Sequence, residues 1–189
     1  MDLYANTLTG PIPEEFGQLE SLQILLLEKN NLSTPIPPSL GNCSNLVAMH
    51  LAWNTLTGPI PKEFGQLERL QHLLLTENSL SAPIPPSLGN CSKLVGLVLS
   101  SNNLTGPIPE EFGQLESVTD LLFDNNQLTG EISPFNLTEL SYLYLGNNRL
   151  SGEIPLFITQ FNRVKPFVQS SDWLHSSLLL CHHSKPDIC

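Results

Sequence analysis

Short stretches in which apolar residues alternate with other positions recur along the chain: Leu25-x-Leu27, Met49-x-Leu51, Leu73-x-Leu75, Leu97-x-Leu99 and Leu143-x-Leu145. A period of two predicts a strand with one buried face, so the named residues are expected to stack into a core. Just after these strands stand Asn30, Asn54, Asn78, Asn102, Asn126 and Asn148. A buried amide there can satisfy backbone groups of the chain as it turns between neighbouring coils, which makes these six residues structural. Pro-Ile-Pro segments follow. Proline has no N–H donor and restricts the residue before it, so the side of each coil away from the strand is expected to be extended and irregular, with only short helices.

The pattern has a fixed period. The segment opening at Gly10 returns from Gly58 and begins again at Gly106, a spacing of 48 residues. Within each block the pattern L-x-x-L-x-x-L-x-L-x-x-N-x-L-x-x-x-I-P-x-x-L/F-G-x occurs twice, giving a 24-residue unit. Units open at Leu19, Cys43, Leu67, Cys91, Leu115 and Leu137, and a worn unit opens at Phe161 and continues through Val164 and Phe167. The Leu115 unit is two residues short, and the loss falls in Ile132-Ser133-Pro134-Phe135-Asn136. Local irregularity is expected there, with the strand beside it intact. A repeat of this length predicts coils that stack along one axis, each burying its apolar face against its neighbours.

The positions between and beside the buried leucines point to the other side of each strand. They form columns along the stack. The central column reads Leu26, His50, Leu74, Val98, Leu122 and Tyr144, an apolar strip with no core-facing reason to be apolar. One flank carries Ile24, Ala48, His72, Gly96, Asp120 and Tyr142, and the other carries Glu28, Ala52, Thr76, Ser100, Asp124 and Gly146. A further column holds Lys29, Trp53, Glu77, Ser101, Asn125 and Asn147. An apolar strip with aromatic anchors and a polar rim suits a peptide or protein ligand, which makes Leu26, His50, Trp53, His72, Leu74, Val98, Asp120, Leu122, Tyr142 and Tyr144 the candidate binding residues. The competing reading is that the apolar residues of the strip cover one another along the stack. Trp53 fits either reading. The acidic residues pair with a basic ligand or simply solvate the face.

The phrases Leu56-Thr-Gly-Pro-Ile-Pro61, Leu104-Thr-Gly-Pro-Ile-Pro109 and Leu150-Ser-Gly-Glu-Ile-Pro155 resemble the L-x-G-x-I-P signature of plant-specific leucine-rich repeats, over about residues 2 to 160. The resemblance implies an α/β repeat solenoid, right-handed, with a concave parallel β-sheet and an irregular convex side. It also implies a solenoid over 1–160 and a degenerate last repeat with a C-terminal cap over 161–189. Members of the family include ectodomains of receptor-like kinases, receptor-like proteins, and secreted inhibitors of cell-wall polygalacturonases. The expected function is recognition of a peptide or protein, with a co-receptor as a possible second partner, outside the cell or at the outer face of the plasma membrane; the secreted inhibitor is the alternative. Thr34 and Ala82 depart from the signature where it has Gly, and Ser133 where it has Pro. An Arg-x-Arg pair, which peptide receptors of the family present on their concave strands, is missing: Arg69, Arg149 and Arg163 are isolated. Met1 to Asn6 begin inside a strand equivalent to Leu25 through Asn30, without the family's paired-cysteine cap, so this end is expected to expose apolar core and the chain reads as a fragment or a truncated gene model.

Composition narrows the partners. Net charge is −10 with only 8 Lys plus Arg in 189 residues, so no basic surface is expected to hold nucleic acid or anionic lipid. Apolar runs such as Ile24–Leu27 and Leu178–Cys181 are far too short to span a bilayer, and the amino terminus has neither the basic start nor the apolar stretch of a signal peptide. No nucleophile with a base and no convincing carboxylate pair emerges from the columns, so neither an enzyme nor a cofactor is expected. His50 and His72 lie on neighbouring strands with no evident acid or metal partner.

Cys43 and Cys91 sit two coils apart, beyond disulfide reach, and are expected to be buried free thiols. Leu180-Cys181 followed by Pro186 and Cys189 loosely resembles the ending of the family's C-terminal cap, which implies a Cys181–Cys189 disulfide. Metal binding by Cys181, His182, His183 and Cys189 is the competing reading, although their spacing matches no standard zinc pattern. Sequons place candidate glycans at Asn31, Asn42, Asn90, Asn103 and Asn136.

Overall fold

The computed structural model describes residues 1–160. The worn repeat from Phe161, the terminal cap, Arg163, the Cys181–Cys189 pairing and its metal alternative lie outside the described residues.

The alternating stretches form a six-stranded parallel sheet of three-residue strands: β2 (Ile24–Leu26), β4 (Ala48–His50), β6 (His72–Leu74), β8 (Gly96–Val98), β10 (Asp120–Leu122) and β12 (Tyr142–Tyr144). Register runs straight across the coils, so Leu25, Met49, Leu73, Leu97, Leu121 and Leu143 face one another along the core side. The interior is continuous, with Phe64, Phe112 and Phe123 among its largest fully buried side chains. Strand β12 pairs with β10 despite the short unit between them, as expected.

A second sheet departs from the expectation of irregular backbone after each asparagine. Segments β1 (Thr9–Gly10), β3 (Asn31–Pro35), β5 (Thr55–Gly58), β7 (Ser79–Pro83), β9 (Asn103–Gly106), β11 (Gln127–Gly130) and β13 (Arg149–Leu150) pair in parallel as seven strands. Leu32, Leu56, Leu80, Leu104 and Leu128 point from them into the core. The asparagines join the two sheets. Asn102 Oδ1 accepts from the Leu80 N–H of the preceding coil at 3.0 Å, while its Nδ2 donates to the carbonyls of Leu75 (3.0 Å) and Leu99 (3.1 Å). Asn54, Asn78 and Asn126 repeat the arrangement.

Beyond the second sheet the Pro-Ile-Pro segments run into 3-10 helices at Glu14–Gln18, Pro38–Asn42, Lys62–Gln66, Pro86–Asn90, Glu110–Gln114 and Leu156–Gln160. Glycine sets their spacing. A Cβ on Gly65 would stand 2.4 Å from the Ser87 carbonyl oxygen and one on Gly89 2.6 Å from that of Glu111. The short unit has no such helix; Phe135 is buried there and comes within 3.5 Å of the Gly113 Cβ position. Left-handed backbone recurs at the ends of the second-sheet strands or just after them, at Gly10, Gly58, Gly106, Gly130 and Gly152, and Thr34 (φ 75) and Ala82 (φ 74) adopt it where the signature glycine is replaced. Among the residues nearest the amino terminus, Met1, Leu8 and Leu19 are exposed. Among the described residues no helix is long and apolar enough to cross a membrane.

Candidate functional site

The face of the six-stranded sheet away from the core is the concave face. Its central column is one cross-strand ladder, Leu26–His50–Leu74–Val98–Leu122–Tyr144, and its flank is a second, Ile24–Ala48–His72–Gly96–Asp120–Tyr142. The ladder is not open to solvent along its whole length. His50, Leu74, Val98 and Leu122 are each at most 3% exposed, and the three apolar ones form a cluster of their own, separate from the core. Trp53, Tyr142 and Tyr144 pack against that cluster and stay partly exposed. Sheet spacing explains the burial, since side chains on strands less than 5 Å apart cover one another. The accessible surface therefore consists of aromatic rings over an apolar floor, with Leu26, Ile24 and His72 half-buried beside it.

The turn out of each strand passes through left-handed backbone at Ala5, Lys29, Trp53, Glu77, Ser101, Asn125 and Asn147, with φ between 51° and 55°. This turn places the fourth column along the rim. The Lys29 ammonium lies 5.2 Å from the Trp53 ring centre and 5.4 Å from that of Tyr4, and donates to the Tyr4 hydroxyl at 3.0 Å. Cation–π attraction of this kind orients Trp53 at the rim. Tyr4 was not among the expected residues. Its signal was present in the equivalence of Met1–Asn6 with Leu25–Asn30, which puts Tyr4 in the column of Glu28.

The two ends of the face differ in polarity. At the amino-terminal end Glu28 and His50 are buried 3.6 Å apart, and His72 on the next strand has its charged form disfavoured first by burial and then by His50. At the other end Asp124 accepts from Ser100 Oγ and Asn125 Nδ2, both at 2.5 Å, and Asp120 accepts from Thr119 Oγ1 at 2.6 Å. Tyr142 and Tyr144 meet edge to face, with ring centres 6.4 Å apart at 89°. Burial pushes the Tyr144 phenol above its usual value, and the nearby Tyr142, Asp124 and Asp120 add to the shift. The face thus offers aromatic and apolar contact in its middle and carboxylates toward the carboxy-terminal end.

The remaining expected residues lie elsewhere. Asn31 and Asn103 open β3 and β9, Asn42 and Asn90 end 3-10 helices, and Asn136 lies in the irregular segment; all five side chains are exposed. Cys43 and Cys91 are buried free thiols that donate to the carbonyls of Phe16 and Phe64. No grouping of metal-ligating side chains occurs among the described residues.

The Leucine Rich Repeat family model matches residues 21–43, 45–67, 69–91, 93–115 and 139–161. The gap between the last two matches contains the shortened unit. No curated protein matches the chain in sequence. Among solved structures, the plant peptide hormone receptor RGFR1 in complex with RGF2 is 39% identical with a TM-score of 0.82, over 84% of this chain and 26% of the receptor. The Arabidopsis receptor kinase HAESA, in complex with the peptide hormone IDA and the co-receptor SERK1, is 34% identical with a TM-score of 0.72, over 88% of this chain and 32% of HAESA. A plant ice-binding protein is 29% identical with a TM-score of 0.66, over 81% of this chain and 58% of that protein. The chain spans about a quarter to a third of the receptors it matches. It belongs to the leucine-rich-repeat family, and its structural neighbours include plant receptor kinases.

Proposed function

We propose that the chain is a ligand-recognition module of plant-receptor type that takes an extended peptide or protein segment along its concave face, outside the cell. The observation that carries this reading is the continuous ladder from Leu26 to Tyr144, floored by Leu74, Val98 and Leu122 and topped by the partly exposed rings of Trp53, Tyr142 and Tyr144. Aromatic anchors over a desolvated apolar floor are where binding energy concentrates at protein interfaces. Structural neighbours seen with peptide hormones, and in one case with a co-receptor, support the same choice of ligand and of a second partner. The role is signalling, and the five exposed sequon asparagines carry glycans.

The test is selection of binders from a display library of random 12-residue peptides against the full chain, followed by calorimetry on the selected peptides. Trp53→Ala and Tyr144→Ala should each weaken binding by about tenfold or more, while Thr57→Ala, on the exposed side of the second sheet, leaves it unchanged. Selected peptides that bind both aromatic variants as tightly as the wild type would sink the reading.

A further inference from the structure

The concave face carries one cation, toward its amino-terminal end. Of the 8 Lys and Arg of the chain only Lys29 stands in the four columns of the face. Its ammonium is held in place, 5.2 Å from the Trp53 ring centre, 5.4 Å from that of Tyr4 and 3.0 Å from the Tyr4 hydroxyl. An ammonium has three donors, and the hydroxyl takes one of them. Neither ring supplies a full negative charge, and no carboxylate forms an ion pair with Lys29 among the described residues. Glu28 belongs to the same coil, but it is 2% exposed and faces His50 at 3.6 Å, so it presents no carboxylate to a ligand.

The other end of the face is anionic. Asp124, half-buried on the coil of β10, accepts from Ser100 Oγ and Asn125 Nδ2, which fix its carboxylate without neutralising it. No cationic side chain pairs with it among the described residues. The exposed Glu77, two coils past Lys29, and Asp120 on β10 carry the same sign. Four strand-to-strand steps separate the coil of Lys29 from that of Asp124. At about 4.8 Å a step the separation is about 19 Å, and an extended peptide rising about 3.3 Å a residue covers it in about six residues.

We propose that the concave face reads the charge order of its ligand: Lys29 takes a carboxylate of an extended peptide, and Asp124 takes an ammonium or guanidinium about six residues from it. This inference rests on the reading of the face as a peptide site, and adds which peptides it takes and which way they lie. Between the two charges the ligand crosses Trp53 and the apolar floor of Leu74, Val98 and Leu122, so that part of it is apolar or aromatic. A peptide lying with its charges the other way round sets like charges against each other at both ends, so the pair also fixes its direction. A chain of net charge −10 attracts any cation. Only Lys29 makes the order matter.

The test uses peptides from the display selection, with affinities for the full chain measured by calorimetry at low ionic strength. Their aligned sequences should carry an acidic and a basic residue about five to seven positions apart. Replacing the acidic residue of the tightest peptide by its amide should weaken binding to wild type about threefold or more and change binding to Lys29→Gln by less than about 1.5-fold. Replacing its basic residue by glutamine should do the same with Asp124→Asn in place of Lys29→Gln. Since Lys29 also orients Trp53, the coupling between the two replacements carries the test, not the loss in Lys29→Gln alone. Selected peptides without the charge pair, couplings below about 1.5-fold, or couplings to the opposite protein residue overturn the inference. The reading of the face outlives that result if Trp53→Ala and Tyr144→Ala still weaken binding, and falls with it if they do not.

Discussion

Asn102→Ala isolates the bond that joins one coil to the next. Its amide makes three contacts of 3.1 Å or less, and losing them does not cost the same at each partner. The Leu75 carbonyl keeps Asn78 Nδ2 as a donor and the Leu99 carbonyl keeps Asn126 Nδ2, so neither is orphaned. Leu80 N–H loses Asn102 Oδ1, and Leu80 has no exposed surface through which water could replace it. A buried donor left without a partner costs about 1–3 kcal/mol, and the small void left by the amide adds about 1 kcal/mol. The expected loss is about 2–4 kcal/mol in urea unfolding. Amide exchange should locate it, with Leu80 and its neighbours in β7 and β9 losing protection before the first coils do, because stability in a stacked repeat is passed between nearest neighbours. Asn148→Ala makes the parallel case: it orphans the Leu128 N–H, which is as fully buried as that of Leu80, so it should cost a similar amount. A loss below about 0.5 kcal/mol for Asn102→Ala, with unchanged exchange at Leu80, would refute the account of the ladder.

Gly65→Ala forces a Cβ to 2.4 Å from the Ser87 carbonyl oxygen and should destabilise by about 1–3 kcal/mol, whereas Gly113→Ala meets only Phe135 at 3.5 Å and should be near neutral; thermal unfolding of the pair checks the contrast. Thr34→Gly restores the residue that suits φ 75 and should stabilise by about 0.5–1 kcal/mol in urea, after the extra chain entropy of glycine is subtracted; a destabilised variant would contradict the assignment of strain. His72 has its protonated form disfavoured in the fold, so its contribution is intact above the ordinary histidine value near ~6.5 and is lost as pH falls through the lower folded value. Subtracting the stability curve of His72→Gln from that of wild type should reveal this decline toward acid, and a flat difference would contradict it. The Cys91 thiol, pushed up to about 11 by burial, should resist alkylation in the native chain at pH 8 and react only on unfolding, and rapid native labelling would contradict its burial.

Stacked coils and the asparagine ladder were legible because both repeat at a fixed interval, and a period survives local substitutions such as Thr34 and Ala82. The second sheet was obscured. Its strands read Asn31-Leu-Ser or Thr55-Leu-Thr, with a single core residue each, and the glycine and proline that follow look like turn signals; only pairing with neighbouring coils makes them strands. Alternation told which side Leu74, Val98 and Leu122 would face, but their burial depends on how closely adjacent coils approach and on where the ring of Trp53 comes to rest. The Glu28–His50 encounter required the lateral register of two coils together with side-chain reach, and no spacing within one repeat encodes it.

The central claim is that ligand contact falls on the concave ladder. Methyl NMR of the full chain, with the leucine and valine methyls labelled and the tightest peptide from the display selection added, tests it directly. The account predicts shifts concentrated at Leu26, Leu74, Val98 and Leu122, with Leu32, Leu56 and Leu104 behind the second sheet undisturbed. Shifts concentrated at the latter three, with the ladder unchanged, would contradict it.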